Sequence, residues 1–169
     1  MIKKFLLAAL TATAVAVPAQ AVINKGEKSL GPKIGYVSHN SSAVAGLVFQ
    51  YTFSEHLRIS PEIGCAFRHK NQDAFLADIN FHVPFGLLDT DKVALYPLAG
   101  LAFNSWALHG HDDVEAVDVT SHINRFGLNL GAGFDLRCST TLKLNLEAKY
   151  TLVKSYSSAY VTVGISYIF

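Results

Sequence analysis

Long apolar runs are nearly missing from this chain of 169 residues. Past residue 21 no stretch approaches the roughly 18 uninterrupted apolar residues that a membrane-crossing helix needs, so helical spans are excluded there. Cysteine is scarce as well: Cys65 and Cys138 are the only two, against the dense cysteine frameworks of small disulfide scaffolds. Charge of one sign is also lacking, with 14 Lys and Arg facing 13 Asp and Glu, and no nucleic-acid footprint follows. No segment carries a convincing helical period, which leaves an all-β chain.

What the chain does have begins with "MIKKFLLAALTATAVAVPAQA". Lys3 and Lys4 precede an apolar run from Phe5 to Val17, and Ala19-Gln20-Ala21 supplies a small-x-small site. This pattern reads as a secretory signal peptide over residues 1–21, cut after Ala21, with a single domain over 22–169. Removing Lys3 and Lys4 leaves 12 basic against 13 acidic residues in that domain.

Turn signals at 38–42, 54–56, 69–73, 86–92, 109–122, 138–141 and 155–158 divide the domain. Between them lie eight segments of alternating character, near 30–37, 43–53, 57–68, 74–85, 93–105, 123–137, 140–153 and 159–169. The stretch "LKLNLEAKYTL" (142–152) shows the rule: Leu142, Leu144, Leu146, Ala148, Tyr150 and Leu152 share one face, and Lys143, Asn145, Glu147, Lys149 and Thr151 the other. An even count of such strands, long enough to cross a bilayer core when tilted, predicts an up-and-down meander whose first and last strands pair.

Alternation alone does not say which face is inside. Gly35, Gly46, Gly64, Gly100, Gly127, Gly131, Gly133 and Gly164 collect on the polar face. Glycine weakens a strand and marks close approach, so a crowded interior has use for it where a watery surface has none. An eight-stranded barrel has an inside just wide enough for side chains, so the polar face is assigned to the lumen. Aromatics agree with an apolar exterior: Phe49, Tyr51, Phe53, Phe85, Tyr167 and Phe169 form one expected rim band, and Phe67, Phe75, Phe103, Trp106, Phe126, Tyr150, Tyr156 and Tyr160 the other. Pro32, Pro61, Pro84 and Pro97 fall within strand segments, where a missing N–H costs a ladder bond, so the ladders are expected to loosen or bulge there.

The chain ends in "TVGISYIF", which looks like the C-terminal insertion signal of outer-membrane barrels, with Thr162, Gly164, Tyr167 and Phe169 in its defined positions. Together with "YPLAGLAFN" (96–104) and "FGLNLGAGFDLRCSTTLKLNLEAKY" (126–150), the sequence resembles the small eight-stranded outer-membrane β-barrels of the OmpX and OmpA-barrel type, within the broad porin-like "outer membrane protein β-barrel domain" family. The likeness covers nearly the whole domain. It implies an eight-stranded antiparallel transmembrane barrel, a bacterial outer-membrane location and insertion by the barrel-assembly machinery. Outer-membrane lipid and lipopolysaccharide are its expected surroundings, as a monomer without cofactor. It implies no single activity, because such a fold carries many roles.

Candidate sites follow from that frame. Lys33, Arg58, Glu62, Arg68, Asp78, His82, Arg125, Asp135, Lys143, Glu147 and Lys149 are expected inside, where mixed signs suit a mutually neutralising plug. The expected function is a structural or surface-interaction role; the alternative is a narrow porin-like channel, and a soluble lipocalin-like binder or a lipid-modifying enzyme ranks below both. The segment "HGHDDVEAVDVTSH" (109–122) reads as the longest loop and offers His109, His111, Asp112 and His122 as candidate ligands for a divalent ion, although the spacing matches no defined motif. Ser155, Ser157 and Ser158 lie in the last loop and His122 at the start of strand six, so no nucleophile and base share a strand, and no enzyme is expected. Cys65 is expected at the lipid face and Cys138 at a turn near the opposite end, too far apart for a disulfide.

Overall fold

The structure is a computed structural model that describes residues 24–86, 92–112, 117–153 and 157–169, with the backbone alone over 110–112 and 117–120. Its strands are β1 (Lys28–Val37), β2 (Ser42–Ser54), β3 (Leu57–His69), β4 (Gln72–His82), β5 (Phe85–Gly86), β6 (Val93–Asp112), β7 (Val117–Arg137), β8 (Leu142–Leu152) and β9 (Ser158–Ile168). Each pairs antiparallel with its neighbours, and the ring closes where β1 meets β9, with Ser29 opposite Ile168 and Val37 opposite Tyr160. The two-residue β5 continues β4: both pair with β6 in one register, interrupted at Val83 and Pro84. The barrel therefore has eight walls. Both ends of the described chain lie at one rim, called here the terminal rim, and the opposite one is the far rim.

Turn chemistry fixes the hairpins. Lys70 and Asn71 have φ of 49° and 58°, the left-handed pair that a two-residue hairpin turn requires. Ser41, at φ 59°, closes the turn between β1 and β2.

The prolines occupy gaps in the ladder. Pro32 lies where the β1–β9 pairing skips from Leu30 to Lys33, and Pro61 where β2–β3 skips from Glu62 to Ile59. Pro97 lies in the break that separates β4 from β5 along β6. Each missing N–H thus coincides with a missing pair on one side of its strand, as the absence of a donor dictates.

The burial pattern is that of a soluble strand turned inside out. In β9 the buried positions are Ser158, Tyr160, Thr162, Gly164, Ser166 and Ile168, while Ala159, Val161, Val163, Ile165 and Tyr167 are exposed. Leu101, Ile34, Ile63 and Leu128 are each more than half exposed, whereas Asn80, Asn129, Gln50 and Thr52 are buried. Apolar side chains outside and polar ones inside are what a bilayer solvent selects.

Three expectations need correction. Residues 109–112 and 117–122, expected as loop, are strand: β6 and β7 remain paired as far as Asp112 and Val117. The polar composition there misled, because a hairpin that outruns its neighbours meets water on both faces and need not alternate. Trp106 and Tyr160, assigned to an outer aromatic band, are buried inside with 0% and 4% exposure. Each sits two residues from an inward position, Asn104 and Thr162, so strand phase overrides residue type. Tyr156, assigned to the same band, lies outside the described residues.

Gly133 lies directly against an inward aromatic ring. A Cβ there would come within 2.2 Å of the Tyr96 ring. Gly133→Ala is therefore expected to destabilise the barrel by about 1–3 kcal/mol through overpacking, measured by urea unfolding in lipid. Truncating the ring as well, in Gly133→Ala with Tyr96→Leu, should recover part of that loss.

Candidate functional site

Because inward positions recur every second residue on all eight walls, their side chains meet in stacked layers across the lumen. Nearest the terminal rim is a charged layer built on Arg58 of β3. Its Nη1 donates to Asp135 Oδ2 at 2.5 Å, and its Nε and Nη2 donate to His82 Nδ1 at 3.2 and 3.0 Å. The guanidinium lies 4.6 Å from the centre of the Tyr96 ring, which stacks on His82 at 4.4 Å and 12°. Asn145 Nδ2 donates to the other Asp135 oxygen at 2.7 Å. Below them Glu27, which precedes β1, accepts from Arg137 and lies 3.6 Å from Lys143 Nζ.

The middle layer centres on Lys149 of β8. Its ammonium donates to Glu62 Oε2 at 2.7 Å and to Asp78 Oδ2 at 2.6 Å, while Lys33 donates to the same Glu62 oxygen. Glu147 borders both layers: its carboxylate lies 3.7 Å from Lys149 Nζ, 3.9 Å from His82 Nε2 and 3.4 Å from the Tyr96 hydroxyl. Asn129 links Asn80 and Thr151 through bonds of 2.9 and 2.6 Å.

Towards the far rim the lumen turns apolar. Val37, Val44, Ala66, Ala74, Trp106 and Tyr160 pack into one buried cluster against Leu76 and Leu108. The His39 ring meets Trp106 edge-on at 4.9 Å, and Asn40 Nδ2 donates to the Gln72 carbonyl at 3.2 Å, so the β1–β2 turn folds over this cluster. Lys149 Nζ lies 5.9 Å from the centre of the Tyr160 ring, where the charged and apolar layers meet.

Of the residues expected inside, Lys33, Arg58, Glu62, Asp78, His82, Asp135, Lys143, Glu147 and Lys149 converge in these two charged layers. Arg125 and Arg68 do not: both are exposed near the far rim, where β3 and β7 reach past the barrel's closed section. Arg125 Nη1 donates to the neighbouring Asn124 carbonyl at 3.0 Å. Tyr96, Arg137 and Glu27 were missed. Strand phase held the signal for two of them, since Tyr96 lies four residues before Gly100 and Arg137 two after Asp135. Glu27 precedes the strand and had no such signal.

Glu62, His82 and Glu147 bring three ligand-type atoms within 4.8 Å of one another. The hydrogen bonds argue against a metal there. Because His82 Nδ1 accepts from Arg58, its Nε2 carries the hydrogen and faces Glu147 as a donor. Glu62 is already committed to two lysines. Of the loop candidates, His109 contacts Asp73 and His122 is exposed, while the side chains of His111 and Asp112 lie outside the described residues. Cys65 and Cys138 are free and exposed. In the terminal strand Thr162 and Gly164 point inward, while Tyr167 and Phe169 stack outside with ring centres 6.4 Å apart.

A closed eight-walled barrel, apolar outside and charged within, matches one family model, the outer membrane protein beta-barrel domain, over residues 6–169. The chain belongs to that family. Its fold is shared with the N-terminal β-barrel domain of Pseudomonas aeruginosa OprF, at TM-score 0.67 and 14% identity over 86% of this chain and 98% of that one. Neisserial surface protein A is similar at TM-score 0.63 and 16% identity, covering 86% and 98%. Ail, the attachment invasion locus protein of Yersinia pestis, is similar at 0.62 and 15%, covering 86% and 100%. No curated protein matches the sequence. As a member of this outer-membrane family, the chain is an outer-membrane barrel protein.

The lumen makes Lys149 a hub, with its side chain only 3% exposed. Lys149→Ala is expected to cost about 3–5 kcal/mol, because it leaves two buried carboxylates short of a cation. Reversible unfolding in lipid measures this. Lys149→Met combined with Asp78→Asn, which removes one charge of each sign and leaves Glu62 paired with Lys33, should recover most of the loss.

Proposed function

We propose that this protein serves as a structural or surface-interacting barrel of the bacterial outer membrane, with a lumen closed to solutes. The observation that carries the reading is the stacking of two unlike barriers in one bore. Below, ion pairs fill the section; above, Trp106 and Tyr160 close it with Val37, Val44, Ala66 and Ala74. An ion entering from the terminal rim meets fixed charges already paired with one another, and one entering from the far rim meets an apolar cluster. Desolvation opposes passage in both directions.

The reading is non-enzymatic: the buried histidine, His82, is committed to Arg58 and a stacked tyrosine rather than to a nucleophile. Residues 1–21 direct export and are then removed, the terminal strand with Thr162, Gly164, Tyr167 and Phe169 is the signal read by the assembly machinery, and the terminal rim faces the periplasm. The β6–β7 hairpin then rises furthest into the outside medium, among lipopolysaccharide, from a barrel that stays monomeric.

Planar-bilayer recording tests the closed lumen. Purified protein inserted in a lipid bilayer should show no steps above background; reproducible single-channel steps from the wild-type chain would establish the narrow-pore reading instead.

A further inference from the structure

On the barrel's outer face near the far rim, one small residue is covered where exposure is the norm. Ala107 follows the outward phase of β6, which includes Leu101 at 60% exposure, yet Ala107 itself is only 6% exposed. Its register explains the cover. Asp73 of β4 pairs with Ala107 on one side and His122 of β7 on the other, and His109 stands two residues further along β6. On an antiparallel sheet such direct and diagonal neighbours have Cβ atoms within roughly 5–8 Å. Two imidazoles and a carboxylate therefore surround Ala107, which forms the floor.

We propose that Asp73, His109 and His122 form a binding site for a first-row divalent ion of the Zn²⁺ type. His109 Nε2 already donates to Asp73 Oδ1, so two of the three donor groups are held together by a shared hydrogen. A metal ion takes the place of that hydrogen as the imidazole changes tautomer to carry its hydrogen on Nδ1, with Nε2 and the carboxylate both turning lone pairs to the ion. His122 is exposed, and in the proposed metal-bound form its side chain turns towards the other two. Two histidines and one carboxylate suit a borderline ion such as Zn²⁺ or Ni²⁺, with remaining positions left to water or to a group on an outside partner. The contrast with the lumen is chemical. Glu62, His82 and Glu147 are enclosed and engaged by Arg58, Lys33 and Lys149, whereas Asp73, His109 and His122 stand on the outer face, with Ala107 and Thr120 as their register partners along β6 and β7 and Arg68 in the β3 bulge opposite Asp73.

The site also redraws the ligand set suggested by the sequence. Asp73, distant along the chain, joins it through the β4–β6 pairing, and neighbouring acidic residues of the hairpin are not required.

Titration calorimetry of the full-length, tag-free protein folded in micelles, with ZnCl₂ and NiCl₂ as probes, tests the assignment. One saturable site per chain is expected for each metal. His109→Ala and His122→Ala should each weaken Zn²⁺ binding by about 100-fold, and Asp73→Asn by about tenfold or more. His56→Ala, at an exposed turn on the terminal rim, should leave it unchanged. Each variant is checked for the mobility shift of a folded barrel on unboiled gels, and His109→Gln replaces any alanine variant that fails it. Absence of binding to both metals, or wild-type affinity in the folded His109 and His122 variants, overturns the site.

Discussion

The pairing of β1 with β9 is the constraint on which the other features depend. In a bilayer core no water stands ready to satisfy an open strand edge, so the ladder has to return to its first member. Closure with eight walls fixes the bore at about the width that side chains fill. Everything inside must then fit a narrow tube, and everything outside must be apolar. The inverted alternation of β8 and β9, the inward glycines and the placement of each proline at a ladder gap are consequences of that one requirement.

A narrow tube lined by polar positions creates an electrostatic demand as well. Lys33, Arg58, Arg137, Lys143 and Lys149 stand against Glu27, Glu62, Asp78, Asp135 and Glu147, so formal charges balance within the bore. Balance is necessary because an unpaired ion held away from water costs several kcal/mol. It is also why charges come as networks here: Glu62 serves two lysines, and Arg58 serves Asp135, His82 and the face of Tyr96 at once. Hydrophobic residues of similar volume would hold such a core equally well, as they do in the layer around Trp106.

Period-two patterning made the fold and the face assignment legible, because a strand buried on one side repeats a signal that composition cannot hide. Glu147 and Lys149 share the polar face of "LKLNLEAKYTL", and the glycines of the other strands assign that face to the inside. What escaped was governed by phase and by long-range register. Trp106 was assigned outward on the general habit of tryptophan, although two residues from Asn104 its strand phase points inward. Arg125 kept the inward phase yet lies beyond the closed section, and no local pattern marks where the neighbouring β8 stops. Asp73 joins His109 only through the pairing of β4 with β6, which sequence order does not disclose.

The two ends of the barrel differ in what they ask of the chain. At the terminal rim, closure is completed by residues outside the regular strands: Gly26 N–H donates to the Thr52 carbonyl at 2.8 Å, Phe169 N–H to the Lys28 carbonyl at 2.9 Å, and Glu27 reaches Arg137 and Lys143. This end is tied together by both termini of the folded chain, and the tie involves main chain and charge alike. At the far rim Trp106 and its neighbours pack together inside the barrel, and β6 and β7 continue above them. These two strands run past β4 and β8 and stay paired with each other as far as Asp112 and Val117. A segment freed from packing can vary in sequence without disturbing the ring beneath it. Under the proposed surface role, recognition falls to the hairpin and its immediate neighbours, while the luminal ion pairs serve stability.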